Sequence, residues 1–356
     1  MSERPALENL VREQRLRRGW SQDELARRSG LSRPGISAIE NGRLVPSAAA
    51  ALALAAAFGG RVEDLFRLPR PVGEPPLWAW PPRREPCRYW RAEVAGQVRL
   101  YPVEATAMGV VAHDGVFENG GFRDEVPADP AATLVVATCD PAIGLLADLL
   151  ARSHGVRLLA LSRSSRAALG LLSRGLAHAA GAHRARSDAP EGNAEAVRHA
   201  LGPGFRLLRV ARWEEGIALA GGLGLGTVAA TVAAGLRWVG REPGSGARQC
   251  LDELLSGRGR PPVPEHLAAD HRGVAEAIRQ GWAEAGVCLR LTCEEAGLAF
   301  LGVREEAYDL CYPTRFEDDR RLRALLDAVR SPTYRRRLAA LPGYGGAETG
   351  DLQPVD

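Results

Sequence analysis

The chain has 356 residues, of which 46% are hydrophobic and 25% are charged, with a net charge of +3. Such a composition is typical of globular proteins, and the length suits about two or three domains. We expect a cytoplasmic protein, because no run of about 18 apolar residues predicts a membrane span and the N-terminal MSERPALENL lacks the apolar core of a secretory signal.

The first 66 residues predict short helices with little strand. Ser21 and Glu24 form a capping box, in which Ser21 caps a helix and Glu24 reaches back to it. Gly30 suits the left-handed turn that ends this helix. Ser32 caps the next helix, and Pro34 falls in its first turn, where backbone amides need no partner. Two short helices across a tight glycine turn predict a helix-turn-helix.

The segment 10–66 resembles the Cro/repressor-like, XRE-type DNA-binding domain. The spacing Ala26-x3-Gly30-x5-Ile36 lets the two helices approach, makes the turn and fixes the second helix in the core. Further matching positions are Arg12, Gly19, Ser21, Gln22, Leu25, Ser37, Ile39, Glu40, Gly42, Arg43, Pro46 and the closing VEDLF. The alternative interpretation is a helical bundle whose arginines are simply solvated.

The resemblance implies that the second helix enters the major groove with its N-terminal residues near base edges. Arg33 could then bind guanine O6 and N7. Asn41 and Arg43 would contact phosphates, and Gln22 would lie beside the DNA backbone. Pro34 and Gly35 replace a pair that is usually polar in this family. The predicted DNA-binding set is Gln22, Ser32, Arg33, Pro34, Ser37, Asn41 and Arg43.

A connector follows the first domain. Residues 67–86 contain seven prolines, which favours a semi-rigid extended segment. Trp78 and Trp80 within it are expected to dock on a neighbouring surface. Residues 88–104 predict a β-hairpin with its turn at Ala95-Gly96. We therefore assign 68–130 to a proline-rich linker and hairpin connector.

From about residue 130, short apolar runs alternate with helical segments, which predicts βαβ units and a mostly parallel sheet. The predicted strands are 133–137, 157–161, 205–211, 236–239, 285–289 and 298–303, and the predicted helices are 141–153, 165–175, 246–255 and 271–282. More than 200 residues are many for one sheet, so two α/β lobes are expected. The last residues, 346–356, have no apolar pattern and predict a disordered tail.

Six cysteines occur without a CxxC pair or a histidine at metal-finger spacing, so we expect reduced buried thiols and no metal site. Three strand-to-helix junctions carry hydroxyl groups at helix starts, near Thr138, Ser164 and Ser245. Helix N-termini present free amides and a positive dipole end, so the three could converge on a small oxyanion. Plain helix capping is the alternative for each of them alone.

Residues of about 130–345 resemble the periplasmic-binding-protein-like domain that is related to molybdate- and tungstate-binding domains and occurs behind helix-turn-helix modules. The resemblance is carried, in collinear order, by CDPAIGLLADLL, LLSRGLAHAAGAH, ARWEEGIALAGG, GREPGSGARQCLDELL, HRGVAEAIRQGWAEAG and EEAYDLCYP. It implies a multidomain chain: an all-α helix-turn-helix domain at 1–67, and an α/β two-lobed, type II binding domain at 131–345. The strands that cross between the lobes would lie near Trp213 and Tyr308.

The resemblance places the ligand between the lobes, so that binding closes a hinge. His183 and His271 also occupy motif positions, where a hydrogen-bonded structural histidine is the alternative. The predicted ligand-binding set is Thr138, Cys139, Asp140, Ser162, Ser164, Ser165, His183, Arg212, Ser245, Gly246, Arg248 and Tyr308.

The sequence therefore predicts a one-component transcription regulator and not an enzyme. It would bind operator DNA as a homodimer and sense a small effector, with molybdate or tungstate indicated by resemblance alone, and would need no cofactor. One alternative is an enzyme of molybdenum-cofactor metabolism, for which Cys139 at a helix start is the best nucleophile candidate. Another is an orphan regulator that uses the large domain only to dimerise.

Overall fold

The computed structural model describes residues 8–62, 65–67, 77–125, 129–186, 189–256 and 264–356. The chain divides into two compact units, Met1–Pro76 and Leu77–Asp356. Within the described residues, no helix is long and apolar enough to cross a membrane.

The first unit is a small helical domain. Its helices are α1 (Val11–Arg17), α2 (Gln22–Ser29), α3 (Arg33–Glu40) and α4 (Ala48–Phe58), and two short strands, β1 (Glu8–Asn9) and β2 (Phe66–Arg67), pair antiparallel. One apolar residue from each of α1, α2 and α3 is fully buried in the shared core: Val11, Leu25 and Ile36. This burial of one face per helix is what holds such short helices, which are unstable in isolation.

The turn between α2 and α3 forms as the sequence indicates, with one difference. Gly30 has φ of 70°, and Ser32 accepts a hydrogen bond from the Gly35 amide. Ser21 likewise accepts from the Glu24 amide at 3.1 Å. The expectation that Glu24 reaches back to Ser21 is wrong, because its carboxylate instead binds the arginines at 27 and 28. A charged pair outcompetes a hydrogen bond to a neutral amide.

The second unit begins with a small sheet rather than a linker. Strands β3 (Leu77–Trp78), β4 (Cys87–Val94), β5 (Gln97–Pro102), β6 (Gly115–Glu118) and β7 (Gly121–Asp124) form a sheet in the order β3-β5-β4-β6-β7. The β4–β5 turn falls on Ala95 and Gly96, which both have positive φ. Trp80 packs edge-on against Tyr101.

The β-hairpin predicted at 88–104 is confirmed by β4 and β5, but assigning residues 77–125 to a connector is wrong, because they belong to the second compact unit. The sheet shares a core with the large domain, and this core contains Trp90 and Tyr101 beside Val135 and Leu159. The physical reason is that one face of β4 and β5 is apolar and needs a covering layer. The prolines at 69, 71, 75 and 76 lie outside the described residues.

The large domain contains α/β units. Its strands are β8 (Thr133–Thr138), β9 (Arg157–Ser162), β10 (Ala179–Arg186), β11 (Phe205–Leu219), β12 (Trp238–Arg241), β13 (His266–Ala268), β14 (Ala285–Leu289) and β15 (Ala299–Pro313). Its helices are α5 (Gly144–His154), α6 (Ser165–Ser173), α7 (Gly192–Leu201), α8 (Val228–Ala233), α9 (Gly246–Leu255), α10 (His271–Arg279), α11 (Arg290–Glu295), α12 (Arg320–Arg330) and α13 (Pro332–Ala339).

Two long antiparallel strands, β11 and β15, run through both lobes. The strand order is β13-β12-β14-β11-β15-β10-β8-β9, so β8–β10 lie on one side and β12–β14 on the other. We call these sides lobe one and lobe two. Trp213 pairs with Glu306 and Ala211 with Tyr308, near the middle of both strands. Residues at this crossing therefore face the junction of the lobes.

The last residues are ordered, so the prediction of a disordered tail at 346–356 is wrong. Strands β16 (Tyr344–Gly345) and β17 (Leu352–Val355) both pair with β11. Val355 is fully buried, and the Thr349 hydroxyl donates to the Val210 carbonyl at 2.9 Å. Without β17, the N-terminal half of β11 would leave backbone N–H and C=O groups unpaired on this side. A short strand supplies these hydrogen bonds even when its sequence has no strong apolar pattern.

Candidate functional site

The N-terminal end of α3 is exposed on the first unit. Ser32, Arg33 and Pro34 are all solvent-exposed. The Ser32 hydroxyl caps the helix, accepting from the Gly35 amide at 3.2 Å. The Arg33 guanidinium lies 3.4 Å from the Asp23 carboxylate, and both side chains are more than 60% exposed. Exposed pairs contribute little free energy, so Arg33 can leave Asp23 for a ligand.

The flanking candidates are more engaged. The Gln22 amide donates to Glu40 at 2.9 Å, and the Asn41 amide donates to the Ser37 carbonyl, also at 2.9 Å. Arg43, just after α3, is exposed. Arg33 and Arg43 are thus the cationic side chains of the predicted set that face solvent on and beside α3.

In the second unit, polar side chains meet at the lobe junction, where β8 ends beside the middle of β15. The Thr138 and Tyr308 hydroxyls are hydrogen-bonded, and the Asp140 amide donates to Thr138 at 3.0 Å. The Tyr344 hydroxyl donates to Asp140 Oδ1 at 2.7 Å. Burial raises the pKa of Asp140 to about 6, although the bond from Tyr344 opposes this. A carboxyl group is therefore held in a dry site.

His183, in β10, lies between a thiol and a carboxylate. Its Nδ1 is 2.8 Å from Glu306 Oε2, and Cys139 lies beside the ring. Burial alone would lower the pKa of His183, but Cys139 and Glu306 raise it well above its ordinary value. The first turn of α9 packs closely on this ring, since a Cβ added at Gly246 would lie 2.4 Å from His183 Cε1.

Arg304 joins two buried carboxylates at the crossing strands. Its Nη2 lies 2.8 Å from Glu215 and 2.6 Å from Glu306. Burial, followed by repulsion from Glu306, raises the pKa of Glu215 to about 7. Burial also acts to raise the pKa of Glu306, but the contact with His183 holds it below the ordinary value. The site thus contains an extended network of buried charges.

Several buried polar atoms at the lobe junction have no hydrogen-bond partner within the described chain. Both ring nitrogens of His271 lack one, as do Asp140 Oδ2, Glu215 Oε1 and Trp213 Nε1. His271 is only 1% exposed, and burial lowers its pKa well below the ordinary value, so the ring is neutral. Buried polar groups without partners are rare and mark sites that a ligand, an ion or water completes.

A groove of about 680 Å³ lies next to this network. It runs along α6, α7 and β10 and is lined in part by Ser165, Arg166, Arg184, His199 and Gly244. The Ser165 hydroxyl is buried there without a partner within the described chain. The groove has the size of a small-molecule site.

The structure brings half of the predicted ligand set together. Thr138, Cys139, Asp140, His183, Gly246 and Tyr308 meet at the junction of the lobes. Ser245 lies beside them, but its hydroxyl caps α9 through the Arg248 amide at 3.2 Å. Ser162 ends β9 next to Thr138, while Ser164 and Ser165 begin α6 beside the groove.

The two predicted arginines lie elsewhere and have other partners. Arg212 binds Glu348 at 3.0 Å, and Arg248 binds Asp252 at 2.8 Å on its own helix. Sequence reasoning missed Glu215, Arg304 and Glu306, which carry the charge of the site. Their only sequence signal was a set of charged residues, WEEG and VREEAY, flanked by apolar ones.

Comparison with known proteins identifies two domains. A family model described as "PBP superfamily domain" matches residues 147–330, and one described as "Helix-turn-helix" matches residues 11–65. The HTH-type transcriptional regulator YgzD of Bacillus subtilis is 42% identical over 62 residues, which cover 17% of this chain and 94% of that protein.

A further relative is similar to about a third of the chain, and two solved structures are similar to more than half of it. The uncharacterized protein YvgK of Bacillus subtilis is 29% identical over 123 residues, covering 33% of this chain and 39% of that protein, so the chain spans less than half of YvgK. A phosphate-bound substrate-binding protein from Clostridium perfringens shows 11% identity and a TM-score of 0.49, over 58% of this chain and 96% of that one. A tungstate ABC transporter structure from Geobacter sulfurreducens shows 17% identity and a TM-score of 0.43, over 57% of this chain and 95% of that one.

Proposed function

Because the chain belongs to the PBP superfamily domain family and carries an XRE-type helix-turn-helix domain, we propose that it is a one-component transcription regulator. The first unit would bind operator DNA, and the two-lobed domain would sense a small ligand. The observation that carries the proposal is the exposed N-terminal end of α3, with Arg33 only weakly paired.

DNA recognition would depend on few side chains. Arg33 would bind a guanine from the first turn of α3, and Arg43 would bind a phosphate. Gln22 already holds Glu40, and Asn41 already caps its own helix, so they would contribute mainly by positioning. We further propose that the protein acts in the cytoplasm as a homodimer, because such modules read two half-sites about 34 Å apart.

The ligand we propose for the groove is a small anion, with molybdate and tungstate as the first candidates. The support is the Ser165 hydroxyl, which has no partner within the described residues, together with the guanidinium groups of Arg166 and Arg184, which line the same groove as the carboxylate of Glu195. Deeper between the lobes, the cation Arg304 is already paired with Glu215 and Glu306, and the buried carboxyl group of Asp140 offers an anion no positive partner. We therefore place the anion in the groove and not at the crossing strands.

Operator binding can be tested with the full chain. Selection from a random-sequence duplex library should enrich one site with a repeated half-site, and fluorescence anisotropy should then show tight binding to it. Arg33→Ala should weaken this binding, while Arg174→Ala, an exposed arginine of the second unit, is the matched charge control. A library that yields no enriched site would overturn the proposal.

Ligand binding is tested separately by calorimetry with molybdate, tungstate and sulfate. Heat with the first two that is lost in Ser165→Ala would support an oxyanion effector. If none of the three anions gives a binding heat, the proposal of an oxyanion effector is wrong, while the proposal of a transcription regulator is unaffected. If no ligand stabilises the large domain against heat, the chain is an orphan regulator.

One observation favours a second candidate, an enzyme. Cys139, His183 and Glu306 lie in the order thiol, imidazole and carboxylate, as in nucleophilic triads. Cys139 is only 5% exposed, however, and a nucleophile must reach its substrate. Rapid alkylation of Cys139 by iodoacetamide, faster than that of Cys87, would favour the enzyme. Slow alkylation would favour the regulator.

A further inference from the structure

Three metal-binding side chains from different parts of the chain meet at the junction of the lobes. Cys139 follows β8, His183 lies in β10, and His271 begins α10. All three are buried, and one ligand atom of each lies within 4.8 Å of the other two. Around a tetrahedral zinc ion, with bonds of about 2.0–2.3 Å, such atoms are about 3.4–3.6 Å apart. An ion would therefore require them to approach by at most about 1.4 Å.

The state of His271 is the observation that points to a ligand here. Neither of its ring nitrogens has a hydrogen-bond partner in the described part of the chain, although the residue is only 1% exposed. A neutral imidazole that is buried without a partner destabilises the fold, because its hydrogen bonds to water in the unfolded chain are not replaced. A metal ion at one nitrogen would recover this free energy.

His183 has the partner expected of a metal ligand. Metal-bound histidines commonly donate their other ring N–H to a carboxylate, which fixes the ring. Here Nδ1 is 2.8 Å from Glu306 Oε2, so Nε2 would bind the ion after releasing its proton. Glu306 is in turn held by Arg304 at 2.6 Å, so the orientation of the His183 ring is fixed before any ion binds.

A second group of possible ligands, His183 with Glu215 and Glu306, is the weaker candidate. The Arg304 guanidinium already lies between both carboxylates, at 2.8 and 2.6 Å. A cation bound there would face this positive charge at short range. Among the described residues, no hydrogen bond or ion pair joins an arginine to the cysteine or to the two histidines. Buried Arg241 binds the Ala269 carbonyl instead, and after burial its charge contributes to the lowered pKa of His271.

We propose that Cys139, His183 and His271 bind one divalent transition-metal ion of the Zn²⁺ type, which joins the two lobes. One thiolate and two imidazoles suit Zn²⁺ or Cu²⁺ and do not suit Mg²⁺ or Ca²⁺. Three protein ligands leave a fourth position for water or for a further molecule. Glu306, which contacts His183, supplies negative charge next to the ion.

The ion would act as a bridge between the lobes. Cys139 and His183 belong to lobe one, whereas His271 belongs to lobe two. Binding to residues of both lobes favours their closed arrangement over any open one. The proposed metal site deepens the proposed function, because metal binding would be either the signal that the regulator senses or a requirement for sensing. Its biological meaning rests on that proposed function. Metal binding itself does not depend on the chain being a regulator.

The test is titration of the reduced, metal-free full chain with Co²⁺ and then Zn²⁺. We expect one equivalent of Co²⁺ to give a sulfur-to-cobalt charge-transfer band, which one equivalent of Zn²⁺ removes. Cys139→Ser should abolish the band, and His271→Ala should weaken Zn²⁺ affinity by at least about 100-fold. Glu306→Gln should weaken it by about 10–100-fold, as loss of an orienting carboxylate does.

The controls are residues of the same types outside the cluster. Cys87→Ser removes a half-buried thiol, and His266→Ala removes an exposed imidazole, so both should bind as the unchanged chain does. If a site variant does not fold, the milder variant His271→Gln is used in its place. Zn²⁺ should then raise the melting temperature of the unchanged chain more than that of His271→Gln. A band that persists in Cys139→Ser, equal loss in the controls, or no stoichiometric binding would overturn the proposal. DNA binding by the metal-free chain is measured in parallel. A failure to bind metal and a failure to bind DNA are then separate results, so the metal site and the regulator can be rejected independently.

Discussion

Arg15 and Glu40 form a two-bond ion pair in the interior of the helix-turn-helix unit. Arg15 Nε lies 2.6 Å from Glu40 Oε1, and its Nη2 lies 3.0 Å from Oε2. The Glu40 side chain is 1% exposed, and Gln22 donates to the same carboxylate. The pair thus connects α1 to the C-terminal end of α3.

Removing Glu40 should destabilise this unit strongly. Glu40→Ala leaves Arg15 buried without its counter-charge, which typically costs about 3–5 kcal/mol. Hydrogen exchange of the α1–α4 amides in the full chain should become faster by a matching amount. Glu24→Ala removes exposed pairs with Arg27 and Arg28 and should leave the exchange of the same amides nearly unchanged. Equal effects of the two variants would contradict the prediction.

Arg33 and Arg43 should affect DNA binding in different ways. Arg33→Ala should weaken binding to the selected operator by about 1–3 kcal/mol and relax the preference at one base pair. Arg43→Ala should weaken binding to every duplex similarly and reduce the salt dependence by about one counterion. Anisotropy at several salt concentrations, with operator and scrambled duplexes, separates the two. Identical profiles would place both arginines on phosphates.

The local signals of the sequence predicted much of the fold. Gly30, Ser32 and Ile36 specify the turn and the second helix through backbone conformation, capping and burial, which depend on near neighbours. The strand 133–137 and the helix 246–255 were recognisable because their apolar residues have the period of their element. These elements occur at β8 (Thr133–Thr138) and α9 (Gly246–Leu255).

The long crossing strands could not be read to their ends. The prediction ended one strand at 211, whereas β11 continues to Leu219 through Glu214 and Glu215. Charged residues normally end a buried strand. Here Arg304 of the partner strand neutralises Glu215, which only the tertiary pairing shows. The same limit explains why His271, 132 residues after Cys139, could not be placed beside it from its spacing.

The ordered C-terminal residues should contribute to the stability of the large domain. Val355→Ala removes part of a fully buried side chain from the core shared with Trp90 and Leu207, and should cost about 2 kcal/mol. Truncation after Gly345 should cost more, because it also exposes the backbone of β11. Thermal unfolding of the full chain measures both. Leu352→Ala, at a residue that is 38% exposed, is the control and should have little effect.

His178 should make the large domain less stable as the pH falls. Burial, helped by the charge of Arg321, lowers its pKa to about 3, and its Nδ1 accepts from the Val135 amide at 2.9 Å. In the unfolded chain the pKa is about 6.5. The unfolded state therefore binds the proton first, and stability falls as the pH drops from about 6.5 towards 3.

Between pH 7.5 and pH 5, this residue alone should account for a loss of about 2 kcal/mol. His178→Asn keeps an acceptor for the Val135 amide but cannot be protonated. We expect it to be less stable at pH 7.5, because a smaller side chain leaves a cavity, and to lose less stability on going to pH 5. His199→Asn, at an exposed histidine, should retain the full pH dependence. Urea unfolding at the two pH values measures the difference. An equal loss of stability in His178→Asn and in the unchanged chain would show that folding does not shift the pKa of His178, which would contradict the prediction.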